Sequence, residues 1–110
     1  MIRVTFYETS SGMLKKMKFE GHAEYAELGS DIVCSAVSML FINTLNSIEK
    51  FTSCKFDMVE SKKNNGYEVT FVDEPNDDAK LLIDSLKLGL DAVTKQYGNE
   101  YLKITLKEVQ

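Results

Sequence analysis

Asp31-Ile32-Val33-Cys34-Ser35-Ala36-Val37-Ser38-Met39-Leu40-Phe41-Ile42-Asn43-Thr44-Leu45-Asn46-Ser47-Ile48-Glu49-Lys50 is the stretch on which the fold turns. Its apolar residues recur three and four positions apart, the spacing of a helix face. Ser30 or Asp31 can cap its start, since either side chain can accept from a first-turn amide that has no partner inside the helix. Ile32, Val33, Ala36, Val37, Met39, Leu40, Phe41, Ile42, Leu45 and Ile48 wrap more than one stripe of the surface. An ordinary surface helix keeps a polar half. This helix is therefore expected to be covered on two sides, by a sheet and by a second helix or a second copy of the chain.

Upstream, Ile2, Val4 and Phe6 alternate with Arg3, Thr5 and Tyr7, the pattern of a half-buried strand. Thr9-Ser10-Ser11-Gly12 reads as a turn. Met13, Lys15, Met17 and Phe19 then alternate with Leu14, Lys16 and Lys18, which predicts a second strand and a hairpin. Gly21 to Ser30 is bracketed by glycines and has no clean period, so it reads as a mobile loop. Downstream, 55–59 and 67–72 form another pair of strands around Asn64-Asn65-Gly66, where Asn and Gly tolerate positive φ. Pro75-Asn76-Asp77-Asp78 opens a second helix, with Leu82, Ile83, Leu86, Leu90, Val93 and Tyr97 in phase up to Gly98. Tyr101, Lys103 and Thr105 alternate with Leu102, Ile104 and Leu106 as a last strand. The order ββαββαβ predicts an α+β single domain over 1–110, with two helices on a mainly antiparallel sheet.

The bulk numbers suit this reading and narrow the function. A length of 110 residues fits one core. A net charge of −4 and a pI near 5.0 argue against nucleic acid, which needs a basic face. No secretory signal is read at the start of the chain, and no apolar run nears the ~20 residues of a membrane span. A cytoplasmic protein with free thiols is expected, with no membrane partner. One histidine and two scattered cysteines lack metal-ligand spacing, and the glycines are too isolated for a phosphate loop. No metal and no cofactor are expected.

The chemistry that remains lies in two residues. His22 is the only histidine, and its side chain is the one whose ordinary pKa, ~6.5, lies near neutrality. Cys34 falls in the expected first turn of the long helix, where unpaired amides and the positive end of the dipole favour a thiolate. The same amides can hold an oxyanion. A loop between the two would let imidazole and thiol meet, as nucleophile and base of a cysteine hydrolase. Taken singly, each has a bland alternative: a solvated loop histidine and a core cysteine. Asp31 and Ser38 share a helix stripe with Cys34 and are possible supporting groups. Asp31 could orient His22 or simply cap the helix, and Ser38 could bond near the thiol or to its own helix. Cys54 opens a strand in phase with Phe56 and Met58 and reads as core.

Two blocks, Gly21-His22-Ala23 and Gly29-Ser30-Asp31-Ile32-Val33-Cys34-Ser35-Ala36-Val37-Ser38, resemble the signature of the ribosomal-processing cysteine protease family. That signature is GHA followed by G-x-D-x-V-C-[AS]-A-[VS]-S, and length and element order agree along the whole chain. The resemblance implies a peptidase that removes a short N-terminal extension from ribosomal protein twenty-seven of the large subunit, cutting after an apolar, aromatic-ended segment. It implies catalytic His22 and Cys34, a homodimer, and a substrate-binding loop that includes Gly21, Ala23, Gly29 and Ser30. The alternative is a non-enzymatic ribosome-associated module that holds RNA or a ribosomal protein on the same sheet. A thiol redox protein is more remote, because there is no C-x-x-C pair.

Overall fold

The computed structural model describes residues 1–21, 28–61 and 66–110, with only the backbone at 28–31. The elements are β1 (Ile2–Thr9), β2 (Leu14–Glu20), α1 (Leu28–Phe51), β3 (Phe56–Ser61), β4 (Gly66–Phe71), α2 (Asp77–Tyr97) and β5 (Leu102–Val109). This is the expected ββαββαβ order. The strands form one sheet in the order β3-β4-β2-β1-β5. β1 and β5 run parallel, and the other neighbours are antiparallel.

The core lies between the helices and one face of the sheet. Val4, Phe6, Met17, Phe19, Val69 and Phe71 from the strands meet Val33, Val37, Phe41, Leu45 and Ile48 of α1 and Ile83, Leu86 and Leu90 of α2. Phe19 and Phe41 stack at a tilt, with ring centroids 5.4 Å apart. Asn76 caps α2, its side-chain oxygen accepting from the amide of Ala79 at 2.9 Å.

Three details depart from the alternation in the sequence. The pairing of β1 with β2 slips between Tyr7 and Glu8, so that Tyr7 faces Lys16 but Glu8 faces Leu14. The extra residue reverses the phase only at the start of β2, which buries Leu14 rather than Met13 or Lys15, while Met17 and Phe19 are buried as the alternation expects. β5 buries Leu102, but Ile104 and Leu106 stay exposed. α1 begins at Leu28, three residues before the expected start.

Widths explain the exposed apolar residues of the outer strands. Five strands ~4.8 Å apart make a sheet wider than two helices packed ~8–10 Å apart can cover. Opposed residues in a sheet share a face, so Met58, paired with buried Val69, and Leu106, paired with buried Phe6, both point to the helix side. They are nevertheless 52% and 66% exposed. Each flank of the sheet extends beyond the helix layer.

One sequence expectation needs correction. Ile32–Phe51, with a mean hydropathy of 1.4, is long and apolar enough by length and composition to cross a bilayer. Single polar residues and polar pairs such as Asn43-Thr44 interrupt its apolar runs without lowering its mean below that level. The helix nevertheless lays Val33, Val37, Phe41 and Ile48 in the core on the sheet, which is the placement of a core helix.

Candidate active site

Because α1 starts at Leu28, Cys34 stands in its second turn. The amides without an intrahelical acceptor belong to the first four residues of a helix, here 28–31. The expected placement of Cys34 in the first turn is therefore corrected. Its own amide lies inside the helix ladder, so an oxyanion formed at this thiol would need donors other than that N–H.

The neighbours of Cys34 decide what its side chain can reach. Val33 and Val37 are fully buried and Ile32 is exposed, so Cys34 sits on the flank of α1, partly buried against the core. At ~100° per residue, Cys34, Ser38, Phe41, Ile42, Leu45 and Glu49 fall within one sector of about 100°. Further along that sector opens a groove of about 260 Å³, walled by Phe41, Ile42, Leu45, Asn46 and Glu49 and floored by Phe56, Met58 and Tyr67. Ser38 is half-buried one turn beyond the thiol and in the same stripe. Asp31 has a helical backbone one turn before it.

Gly29 and Ser30 lie in α1, not in a loop. The loop read from 21 to 30 is shorter for that reason, because the helix continues back past both residues. His22 and Ala23, and the rest of 22–27, lie outside the described residues. Gly21, which precedes His22, is described: its φ is 86°, and a Cβ there would come within 2.5 Å of the Met1 carbonyl oxygen. Only glycine can make this exit from β2, which is a physical reason for the Gly before the His.

The second thiol has a different setting. About 25 Å of helix separates Cys34 from Phe51, and three more residues cannot return Cys54 to the Cα separation of ~7 Å or less that a disulfide needs. Both cysteines are free. Burial, with the nearby charge of Asp73, pushes the Cys54 thiol above its ordinary value of 9.0, against a hydrogen bond to the backbone of Asn76. A neutral thiol is a poor nucleophile. Cys54→Ser is expected to keep most of the peptidase activity, measured by peptide cleavage at neutral pH; a dead variant would reassign the nucleophile. Because its native pKa is raised, Cys54 favours the folded state while protonated, and that contribution is lost as pH rises through the raised value. The rate of Cys54 alkylation should accordingly still be climbing with pH at pH 9.0, where an ordinary thiol begins to level off.

A sequence profile described as cysteine protease Prp matches residues 1–103. The chain belongs to the cysteine protease Prp family. A ribosomal processing cysteine protease Prp from Staphylococcus aureus strain Mu50 is 28% identical over 107 residues, covering 97% of this chain and all of that relative. A crystal structure of an essential ribosomal processing protease Prp from S. aureus, in complex with a substrate peptide, superposes with a TM-score of 0.87 at 27% identity over 97% of this chain and all of that one. A second, with a covalently linked product peptide, has a TM-score of 0.85 at 28% identity and the same coverage. Membership of the Prp family makes the chain a cysteine protease, and its ββαββαβ architecture is that of the Prp structures. The groove beside α1 was not legible in the sequence. Met58 and Tyr67 read there simply as strand residues, and only the order of the strands shows that no helix covers Met58.

Proposed function

We propose that the chain is an endopeptidase that removes the N-terminal extension of large-subunit ribosomal protein twenty-seven in the cytoplasm, supporting ribosome assembly, with Cys34 as nucleophile and His22 as base. The observation that carries this reading is an end-to-end match to ribosomal processing cysteine proteases, combined with a partly exposed Cys34 on the helix stripe that leads into an apolar groove. The second thiol is remote and held neutral.

The reaction is acyl transfer. The Sγ of Cys34 gives its proton to His22 and attacks the scissile carbonyl carbon, forming a C–S bond. The tetrahedral intermediate collapses, the C–N bond breaks, and His22 returns the proton to the leaving amine. Water, deprotonated by His22, then attacks the thioester. The C–S bond breaks, the new C-terminal carboxylate leaves, and the thiol is regenerated. Asp31 and Ser38 are supporting positions in this reading, one turn to either side of the thiol. Gly21, Ala23, Gly29 and Ser30 frame the segment that meets the substrate. The test is incubation with the complete ribosomal protein and mass spectrometry of the products. A single new N-terminus supports the reading, and an unprocessed protein overturns the substrate assignment.

A homodimer belongs to the same proposal. A Cβ on Gly89 of α2 would lie 3.0 Å from the side chain of Leu40, so the two helices approach closely there. Met39 and Leu88, each next in sequence to that contact, are 66% and 72% exposed on the outer face, with Ile42 nearby on α1. Such a patch suits a second copy of the chain. Sedimentation at micromolar concentration should give a dimer, and Met39→Asp with Leu88→Asp should give a monomer. A monomeric parent protein would remove the dimer and leave the chemistry intact.

A further inference from the structure

Both helices pack on one side of the sheet, and the strand register fixes what stands on the other. Val4 and Phe6 point into the core, so Arg3, Thr5 and Tyr7 of β1 point away from it. On β5, Lys103 sits beside Arg3, Thr105 beside Thr5 and Lys107 beside Tyr7. On β2, Glu20 sits beside Arg3, Lys18 beside Thr5 and Lys16 beside Tyr7. The β5-β1-β2 half of this face therefore carries five cations and one carboxylate, in a chain whose net charge is −4. The bulk charge that argues against nucleic acid is an average over surfaces of opposite sign. Lys16 is already engaged: its Nζ lies 2.7 Å from the Glu68 carboxylate on β4 and 5.4 Å from the centre of the Tyr7 ring. That hydrogen bond, with the charges of Lys16 and Lys18, holds the Glu68 carboxyl below its ordinary value. Arg3, Lys18, Lys103 and Lys107 make no close ion pair among the described residues.

We infer that the β5-β1-β2 half of the open sheet face docks the phosphate backbone of RNA. The cations spread about 13 Å along β5 and about 10 Å across the three strands, with Thr5, Thr105 and Tyr7 between them. Separated cations over a hydroxyl-bearing floor suit a phosphate backbone. A protein partner would look for an apolar centre to bury, and this half of the face offers none. The rest of the surface is acidic on balance and repels a polyanion, so only this side can approach one. Tyr7 lies against Lys16 and has no free ring face on which to stack a base, so binding should ignore base sequence. The choice of RNA among nucleic acids rests on the ribosomal reading of the substrate; the docking itself does not need the peptidase chemistry. Cys34 belongs to the layer on the far side of the sheet, and the dimer patch at Met39 and Leu88 lies there too. Bound RNA would therefore leave the thiol and the dimer open, with the active site turned away from the RNA.

The test is fluorescence polarisation of a labelled RNA duplex of about 20 base pairs with the full chain, at about 50 and 200 mM salt. Roughly four phosphate contacts give a log–log salt slope of about −3 to −4, so affinity should fall about a hundredfold between the two salts. Arg3→Gln with Lys103→Gln and Lys107→Gln should weaken binding about ten- to a hundredfold at the lower salt and flatten the slope by about three. Lys50→Gln with Lys80→Gln and Lys95→Gln removes the same charge from the helices and should change affinity by less than about threefold. All six side chains are exposed, so circular dichroism and peptide cleavage should match the parent in both triple variants. No binding by the parent at the lower salt overturns the inference, as does an equal loss in the two triples. Displacement of the RNA by polyglutamate at matched charge would reassign the face to an acidic polypeptide and overturn RNA. Parental RNA binding in a protein that cleaves no ribosomal peptide would sink the peptidase reading and uphold this one.

Discussion

Cys34→Ala is expected to lower the rate of peptide cleavage by a factor of about 10⁴ or more, and His22→Ala by about 10²–10⁴. Removing the thiol removes the atom that forms the acyl bond, and no other described group can replace it, because Cys54 lies at the far end of α1 and is held neutral. Removing the imidazole leaves the thiol without a partner to take its proton and leaves the departing amine without a donor. The two residues act as a unit, so the double variant should be scarcely slower than Cys34→Ala alone. Cys34 is only partly buried on the flank of α1, and its loss should leave the circular dichroism spectrum unchanged. Single-turnover cleavage followed by mass spectrometry checks all three variants. More than a tenth of the parent rate in Cys34→Ala would end the assignment of the nucleophile.

Gly66→Ala is expected to be the most damaging small substitution outside the active site. A Cβ at Gly66 would collide with the carbonyl oxygen of Phe19 and lie 2.7 Å from the Cα of Glu20. Both are backbone atoms of β2, so no side chain can move aside. β4 must separate from β2 at this end, which loosens the pairing of Phe19 with Tyr67 and the aromatic contact between them, with centroids 6.3 Å apart. A cost of more than about 3 kcal/mol follows, and for a domain of this size that lowers Tm by on the order of 15 °C. Differential scanning calorimetry is the measurement. A drop of only a few degrees would show that the strands can part there at little cost. The sequence placed this glycine in an Asn64-Asn65-Gly66 turn; Gly66 is the first residue of β4, and Asn64 and Asn65 lie outside the described residues. What requires glycine at 66 is the close approach of a neighbouring strand, which leaves no local signature.

The element order, the two helices, the cap at Asn76 and the two-block signature around His22 and Cys34 were all legible in the chain itself. These features are local: they depend on side-chain periodicity, on short-range hydrogen bonding and on residue types at fixed spacing. What the chain did not reveal depends on residues far apart in sequence. The phase of β2 follows from a slip against β1, and the exposure of Leu106 from an edge position beside β1. The second-turn position of Cys34 follows from a helix that continues back through Gly29 and Ser30, two residues that read locally as loop. The groove along α1 required the whole sheet, because it is the difference between the width of five strands and the width of two helices. Hydrophobic period marks which side of a strand prefers burial; whether anything arrives to bury it is decided by the strand's place in the sheet.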